Sequence, residues 1–180
     1  INYMGKPRDV MTLAHELGHG VHQVLAGKQG PLMSQTPLTL AETASVFGEM
    51  LTFRRLLSQT RNARQRQALL AGKVEDMINT VVRQIAFYSF ERAVHTERKN
   101  GELTAQRIGE IWLSVQGESL GPAIDIRPGY ENFWMYIPHF IHSPFYVYAY
   151  AFGDCLVNSL YAVYEKANAG FAERYLDMLR

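Results

Sequence analysis

His15-Glu16-Leu17-Gly18-His19 constrains this chain more than any other stretch, because the five residues make chemical sense only on an α-helix. Positions i and i+4 of a helix share a face one turn apart, so both imidazoles can point at one ion. Neutral imidazole is a natural Zn²⁺ ligand, and two of them leave the metal short of its usual four partners. Glu16 projects beside the pair, where a carboxylate can take a proton from a metal-activated water.

The flanks agree with a helix. Asp9 can cap its N-terminus, and Val10, Leu13, Ala14, Leu17, Val21, Val24 and Leu25 recur as an apolar stripe at helical spacing. Gly27 and then Gly30-Pro31 end it. Gly18 and Gly20 lower helix propensity beside the second histidine, which implies close packing there. His22 falls on nearly the same stripe but about 10 Å along the axis from His15, too far to share one ion. It reads as a group on the pocket wall beside the ligands or as a plain structural histidine.

A third ligand is needed. The extended motif HExxHxxGxxH is excluded, because His22 stands at its glycine position and Leu25 at its last histidine. The other common solution is a glutamate on a following helix, and residues 39–57 read as one, with Thr39 as N-cap. Glu42 and Glu49 lie two turns apart in an otherwise apolar, small-residue stretch, where an unpaired charge is costly. A metal supplies the compensation, which makes Glu42 the expected third ligand. Glu49 then fits as an acceptor for the free N–H of a ligand histidine, or else as a partner for Arg54 or Arg55.

Three blocks in this order resemble the M3 family of zinc metallopeptidases, in its oligoendopeptidase F branch. They are Leu13 to His22, Ala41 to Glu49, and Ile137-Pro138-His139-Phe140-Ile141-His142-Ser143-Pro144-Phe145-Tyr146-Val147-Tyr148-Ala149-Tyr150. The resemblance implies a mostly helical protein that binds one Zn²⁺ per chain through the two motif histidines and a downstream glutamate. It implies cleavage of short peptides inside a deep channel, with a histidine and tyrosines near the C-terminus polarising the scissile carbonyl. Such enzymes usually run to several hundred residues, whereas this chain has 180 and begins with Ile1. The expectation is a single helical catalytic domain over residues 1–180, the C-terminal part of a longer protein whose N-terminal portion completes the substrate channel.

Composition narrows the remaining classes. A chain of 180 residues with 47% hydrophobic content can bury one core. A net charge of +1 offers no reason to expect nucleic acid or a membrane surface as partner. The basic residues Arg54, Arg55, Arg61, Arg64 and Arg66 read as a solvated face. Cys155 is alone, so no internal disulfide can form, which fits a reducing, cytoplasmic setting. No apolar run approaches the roughly 20 residues of a membrane span.

Residues 62–99 read as a long helical stretch, interrupted at Gly72, and Asn100-Gly101 ends it. Thr104 opens a helix to about Ser119, residues 121–144 read as loop, and a helix follows over residues 145–166. Gly170 separates a short final helix. Period-two alternation is weak throughout, so the fold class is all-α. Glu91 and His95 are four apart and read as a buried structural pair, with no third group to make a second metal site.

Residues 130–152 are densely aromatic. The phenylalanines read as core, but a buried tyrosine hydroxyl needs a partner. Tyr146 and Tyr150 are one turn apart and share a face, with Tyr148 opposite. Two phenols beside His139 on the preceding loop suit a developing oxyanion, which needs donors placed where the charge appears. His142 replaces His139 if the loop is registered differently. The leading expectation is a zinc endopeptidase in which Glu16 is the general base and His139, Tyr146 and Tyr150 stabilise the anion. The alternatives are a metal carboxypeptidase on a similar helical scaffold, and a non-catalytic helical core whose zinc is closed off by a fourth protein ligand.

Overall fold

The computed structural model describes residues 2–166 and 169–180. Eight α-helices account for most of them, and no strand forms among the described residues, as the all-α expectation requires. The helices are α1 (Pro7–Ala26), α2 (Thr43–Gln59), α3 (Ala63–Ile78), α4 (Gln84–Arg98), α5 (Ala105–Leu120), α6 (His139–His142), α7 (Tyr148–Lys166) and α8 (Phe171–Met178). They fall into two compact units.

The first unit comprises the chain up to Met77 together with Phe152–Arg180. Its centre is the packing of α1 on α2, and glycine lets the two backbones touch. A Cβ on Gly18 would lie 2.6 Å from the Ala44 carbonyl oxygen and from the Ser45 Cα, and one on Gly48 would lie 2.9 Å from the Ala14 carbonyl oxygen. Close approach was expected at both Gly18 and Gly20, but nothing lies within 4 Å of a Cβ on Gly20. The inward face of α1 also differs from the expected stripe. Leu13, Leu17, Val21 and Val24 are exposed, whereas His22 and Ala26 are buried. Small residues and histidines, rather than the large aliphatic ones, face α2. Below that contact, Val46, Phe47, Met50 and Val157 form a core on which Tyr161, Phe171 and Tyr175 pack. Phe47 stacks on Tyr175 with ring centroids 4.4 Å apart.

The second unit comprises Ile78–Ala151. Phe87, Phe90, Ile111, Trp112, Ile137 and Val147 form its core, so α4, α5 and the aromatic segment share one apolar centre. Fully burying such side chains stabilises by about 1.5–3 kcal/mol each. Thr104 caps α5 as expected, its side chain accepting the Arg107 N–H at 3.1 Å.

Several boundaries depart from the sequence reading. Thr39 lies in a 3₁₀ turn, Leu38–Leu40, and Glu42 itself is the residue that precedes the first turn of α2. Gly72 stays inside α3, and the interruption comes instead at a π-helical turn, Asn79–Arg83. The expected loop 121–144 contains a 3₁₀ helix, Tyr130–Tyr136, and the short α6. Finally, α7 starts at Tyr148 rather than at residue 145, because Phe145 adopts a left-handed backbone with φ 62° after Pro144.

Candidate metal centre

Helix α1 begins at Pro7, where the missing proline N–H costs nothing. Asp9 caps this end as expected, from within the first turn. Its Oδ2 accepts the N–H groups of Met4 at 2.8 Å and Lys6 at 2.9 Å. Two turns on, the i, i+4 spacing brings His15 Nε2 and His19 Nε2 to 3.1 Å. Glu42, only 4% exposed, completes the group from the entrance to α2. Its Oε2 lies 3.4 Å from His15 Nε2 and 3.5 Å from His19 Nε2.

These three separations form a nearly equilateral triangle. Ligands about 2.0–2.1 Å from a tetrahedral ion are separated by about 3.3 Å, so the triangle matches one face of a zinc coordination tetrahedron. Two imidazole nitrogens and one carboxylate oxygen are also the donor types zinc takes. The residues therefore fit the metal. Among the described residues, no other group of three such side chains converges in this way.

Contacts outside the triangle hold two of the three candidate ligands, His15 and Glu42. His15 Nδ1 lies 2.5 Å from Glu49 Oε1, which sets the ring so that Nε2 points to the triangle. That hydrogen bond raises the imidazole pKa above its ordinary value, against an opposing effect of burial. With a metal on Nε2 the same carboxylate accepts the Nδ1–H and makes the ring a stronger donor. Of the two alternative partners for Glu49, Arg54 is otherwise engaged: it pairs with Glu165 and donates to the Tyr161 hydroxyl at 3.2 Å. Ser45 Oγ donates to Glu42 Oε2 at 3.0 Å. Glu16 is exposed beside His15, whose charged form its carboxylate favours. His22 is buried and contributes no atom to the triangle, and burial and then the neighbouring His19 lower its pKa.

Two residues near this group were not singled out from the sequence. A Cβ on Gly153 would lie 2.8 Å from the Glu42 Cβ, so α7 can pass the ligand only with hydrogen at that position. Asp154, the next residue, is buried, and its pKa is pushed up, first by that burial and also by the charge of Glu49. A glycine followed by an aspartate inside an apolar helix was the available signal.

The second unit gathers His139, Tyr146 and Tyr150. His139 stacks on Tyr146 with centroids 5.4 Å apart at 19°, and Tyr150 meets both rings edge-on, at 5.7 Å and 5.3 Å. The Tyr150 hydroxyl lies 3.3 Å from His139 Nε2. His142 is exposed and takes no part in this stack, and Tyr148 packs instead against Tyr88 at 5.8 Å. An imidazole and two phenols held ring against ring offer hydrogen-bond donors of the kind that stabilise an oxyanion. Glu91 and His95, the expected pair, interact electrostatically, but no hydrogen bond joins them. Glu91 accepts the Phe145 N–H at 2.8 Å, while the His95 ring packs on the Phe145 ring at 4.7 Å.

Known proteins are similar to this chain over nearly its whole length. It is 32% identical to the oligopeptidase PepF of Bacillus subtilis (strain 168), an alignment that covers all of this chain and 27% of that protein. It is 29% identical to the chromosomal oligoendopeptidase F of Lactococcus lactis subsp. cremoris, over 100% of the chain and 30% of the relative. The crystal structure of oligoendopeptidase F from Enterococcus faecium superposes with a TM-score of 0.75 at 29% identity, covering 94% of this chain and 30% of the other. The chain thus spans about a third of the length of the relatives it matches. The family model described as peptidase family M3 matches residues 1–180. The chain belongs to peptidase family M3.

Proposed function

We propose that this chain carries the metal site and general base of a zinc endopeptidase that hydrolyses internal bonds of short oligopeptides. The observation that carries the reading is the triangle of His15 Nε2, His19 Nε2 and Glu42 Oε2, with edges of 3.1, 3.4 and 3.5 Å. Membership of a peptidase family and the oligoendopeptidase names of its relatives support the substrate class. Zinc held there supplies Lewis acidity and lowers the pKa of water toward neutrality.

The side chains do the remaining work. Glu16, adjacent to His15 and open to solvent, takes the proton of the attacking water and returns it to the departing amine. Glu49 keeps His15 in one orientation and one tautomer throughout. His139, Tyr146 and Tyr150 donate hydrogen bonds to the carbonyl oxygen as it gains charge, and their mutual stacking pre-organises those donors. Sequence outside this chain forms further walls of the peptide channel in the complete protein, in keeping with the length of the relatives.

Peptides of five to ten residues, blocked at the C-terminus and carrying a fluorophore and quencher at opposite ends, test the reading in the complete protein. Cleavage of internal bonds, abolished by a chelator and restored by zinc, is expected. Cleavage confined to peptides with a free C-terminus would identify a carboxypeptidase. A bound zinc with no cleavage of either kind would leave only a structural site.

A further inference from the structure

The buried carboxylate of Glu91 has no role in the chemistry above. It is 2% exposed within the second unit. A charged side chain is seldom buried so completely without a specific partner. Its Oε1 accepts the Phe145 N–H at 2.8 Å, and its Oε2 meets no hydrogen-bond donor among the described residues. Burial pushes its pKa up, while the Phe145 N–H and then the nearby His95 oppose that rise.

Phe145 is the one non-glycine residue among those described with a positive φ, 62°. A residue with a Cβ adopts that backbone only where its surroundings over-determine it. Two contacts on α4 do so here. Glu91 takes the N–H, and one helical turn later the His95 ring packs on the Phe145 ring. The turn joins α6, which begins with His139, to α7, which carries Tyr150. Immediately after it, Tyr146 lies flat on His139, and Val147 is driven fully into the core.

We propose that Glu91 is a positioning residue for the His139–Tyr146–Tyr150 cluster, holding the left-handed turn at Phe145 that folds Tyr146 back over His139. Glu91 acts through one backbone N–H, that of Phe145. Its importance for activity rests on the proposed function of the cluster, but its effect on the geometry does not.

The test uses the complete protein carrying Glu91→Ala, Glu91→Gln and Tyr150→Phe, alone and combined. Glu91→Ala removes the acceptor, whereas Glu91→Gln keeps an oxygen of the same reach. Crystal structures should show the His139–Tyr146 stack lost in Glu91→Ala and retained in Glu91→Gln. Zinc content should equal wild type in both. In activity, Glu91→Ala should lower kcat at least tenfold with KM within about twofold, and Glu91→Gln should recover most of it. Adding Tyr150→Phe to Glu91→Ala should then cost far less than Tyr150→Phe costs alone.

A stack that persists in Glu91→Ala overturns the proposal, as do fully multiplicative effects of the two changes. If the stack is lost while the wild-type protein itself cleaves no peptide, the positioning stands and the functional reading fails. Should Glu91→Ala not fold, Glu91→Ala/Phe145→Gly decides the matter, because glycine adopts a positive φ without support. A folded double variant with the His139–Tyr146 stack restored supports the proposal, and failure to fold in that background too overturns it.

Discussion

Glu16 and Glu42 are both glutamates of the proposed site, yet the structure separates their environments. Glu16 is exposed, whereas Glu42 is buried with Ser45 Oγ donating to its Oε2. Exchanging each for glutamine therefore has different expected outcomes. Glu16→Gln removes a base and no ligand, so hydrolysis should fall to below a few per cent while zinc content stays at wild type. Glu42→Gln replaces an anionic ligand by a neutral one and should lower metal affinity, with activity returning as zinc is raised. Metal analysis beside kcat separates the two. Tyr150→Phe deletes one hydroxyl and keeps a ring that meets His139 and Tyr146. A donor used mainly in the transition state is worth about 3–4 kcal/mol, or roughly 10²–10³ in kcat, with KM little changed. Tyr148→Phe removes the same atom from a ring packed on Tyr88 and should be nearly silent. Equal losses from the two substitutions would show that the hydroxyl of Tyr150 has no special role.

At the scale of helices, the metal triangle depends on how closely α1 approaches α2. Gly18 and Gly20 look alike in the sequence, and both weaken α1 in isolation. The structure distinguishes them. A methyl at Gly18 would meet the backbone of Ala44 and Ser45 at 2.6 Å, whereas a methyl at Gly20 meets nothing within 4 Å. Gly18→Ala should destabilise by about 1–3 kcal/mol and weaken zinc binding, because backbone cannot move aside as a flexible side chain can. Gly20→Ala should stabilise by about 0.5–1 kcal/mol through helix propensity alone. Denaturant unfolding with and without zinc reads both, and a stabilising Gly18→Ala would refute the close helix contact. The same contact shows why the inward face of α1 was misread. Periodicity finds large aliphatic residues, but a close crossing selects glycine, alanine and the ligands themselves. The start of α7 was hidden for another reason. An apolar run continues through residues 145–151, and nothing in a phenylalanine signals a left-handed backbone that Glu91 and His95 impose from a distant helix.

Across the whole molecule, what was legible was the local chemistry. Five consecutive residues place two imidazoles and a carboxylate, because helix geometry alone relates i to i+4. Glu42 was accessible from its cost, since a carboxylate in a small apolar stretch needs compensation. Its position just ahead of α2, rather than within that helix, was not, because the 3₁₀ turn before it has no strong residue signature. Gly153 was missed because its constraint comes from Glu42, more than a hundred residues away in the chain. On the proposed reading, all these devices hold one ion per chain at an open site. Anomalous diffraction at the zinc edge, from crystals of the complete protein, measures that directly. The expected result is one peak per chain about 2.0–2.2 Å from His15 Nε2, His19 Nε2 and Glu42 Oε2, with a non-protein atom as fourth ligand. A peak elsewhere, or a fourth side chain closing the site, would contradict it.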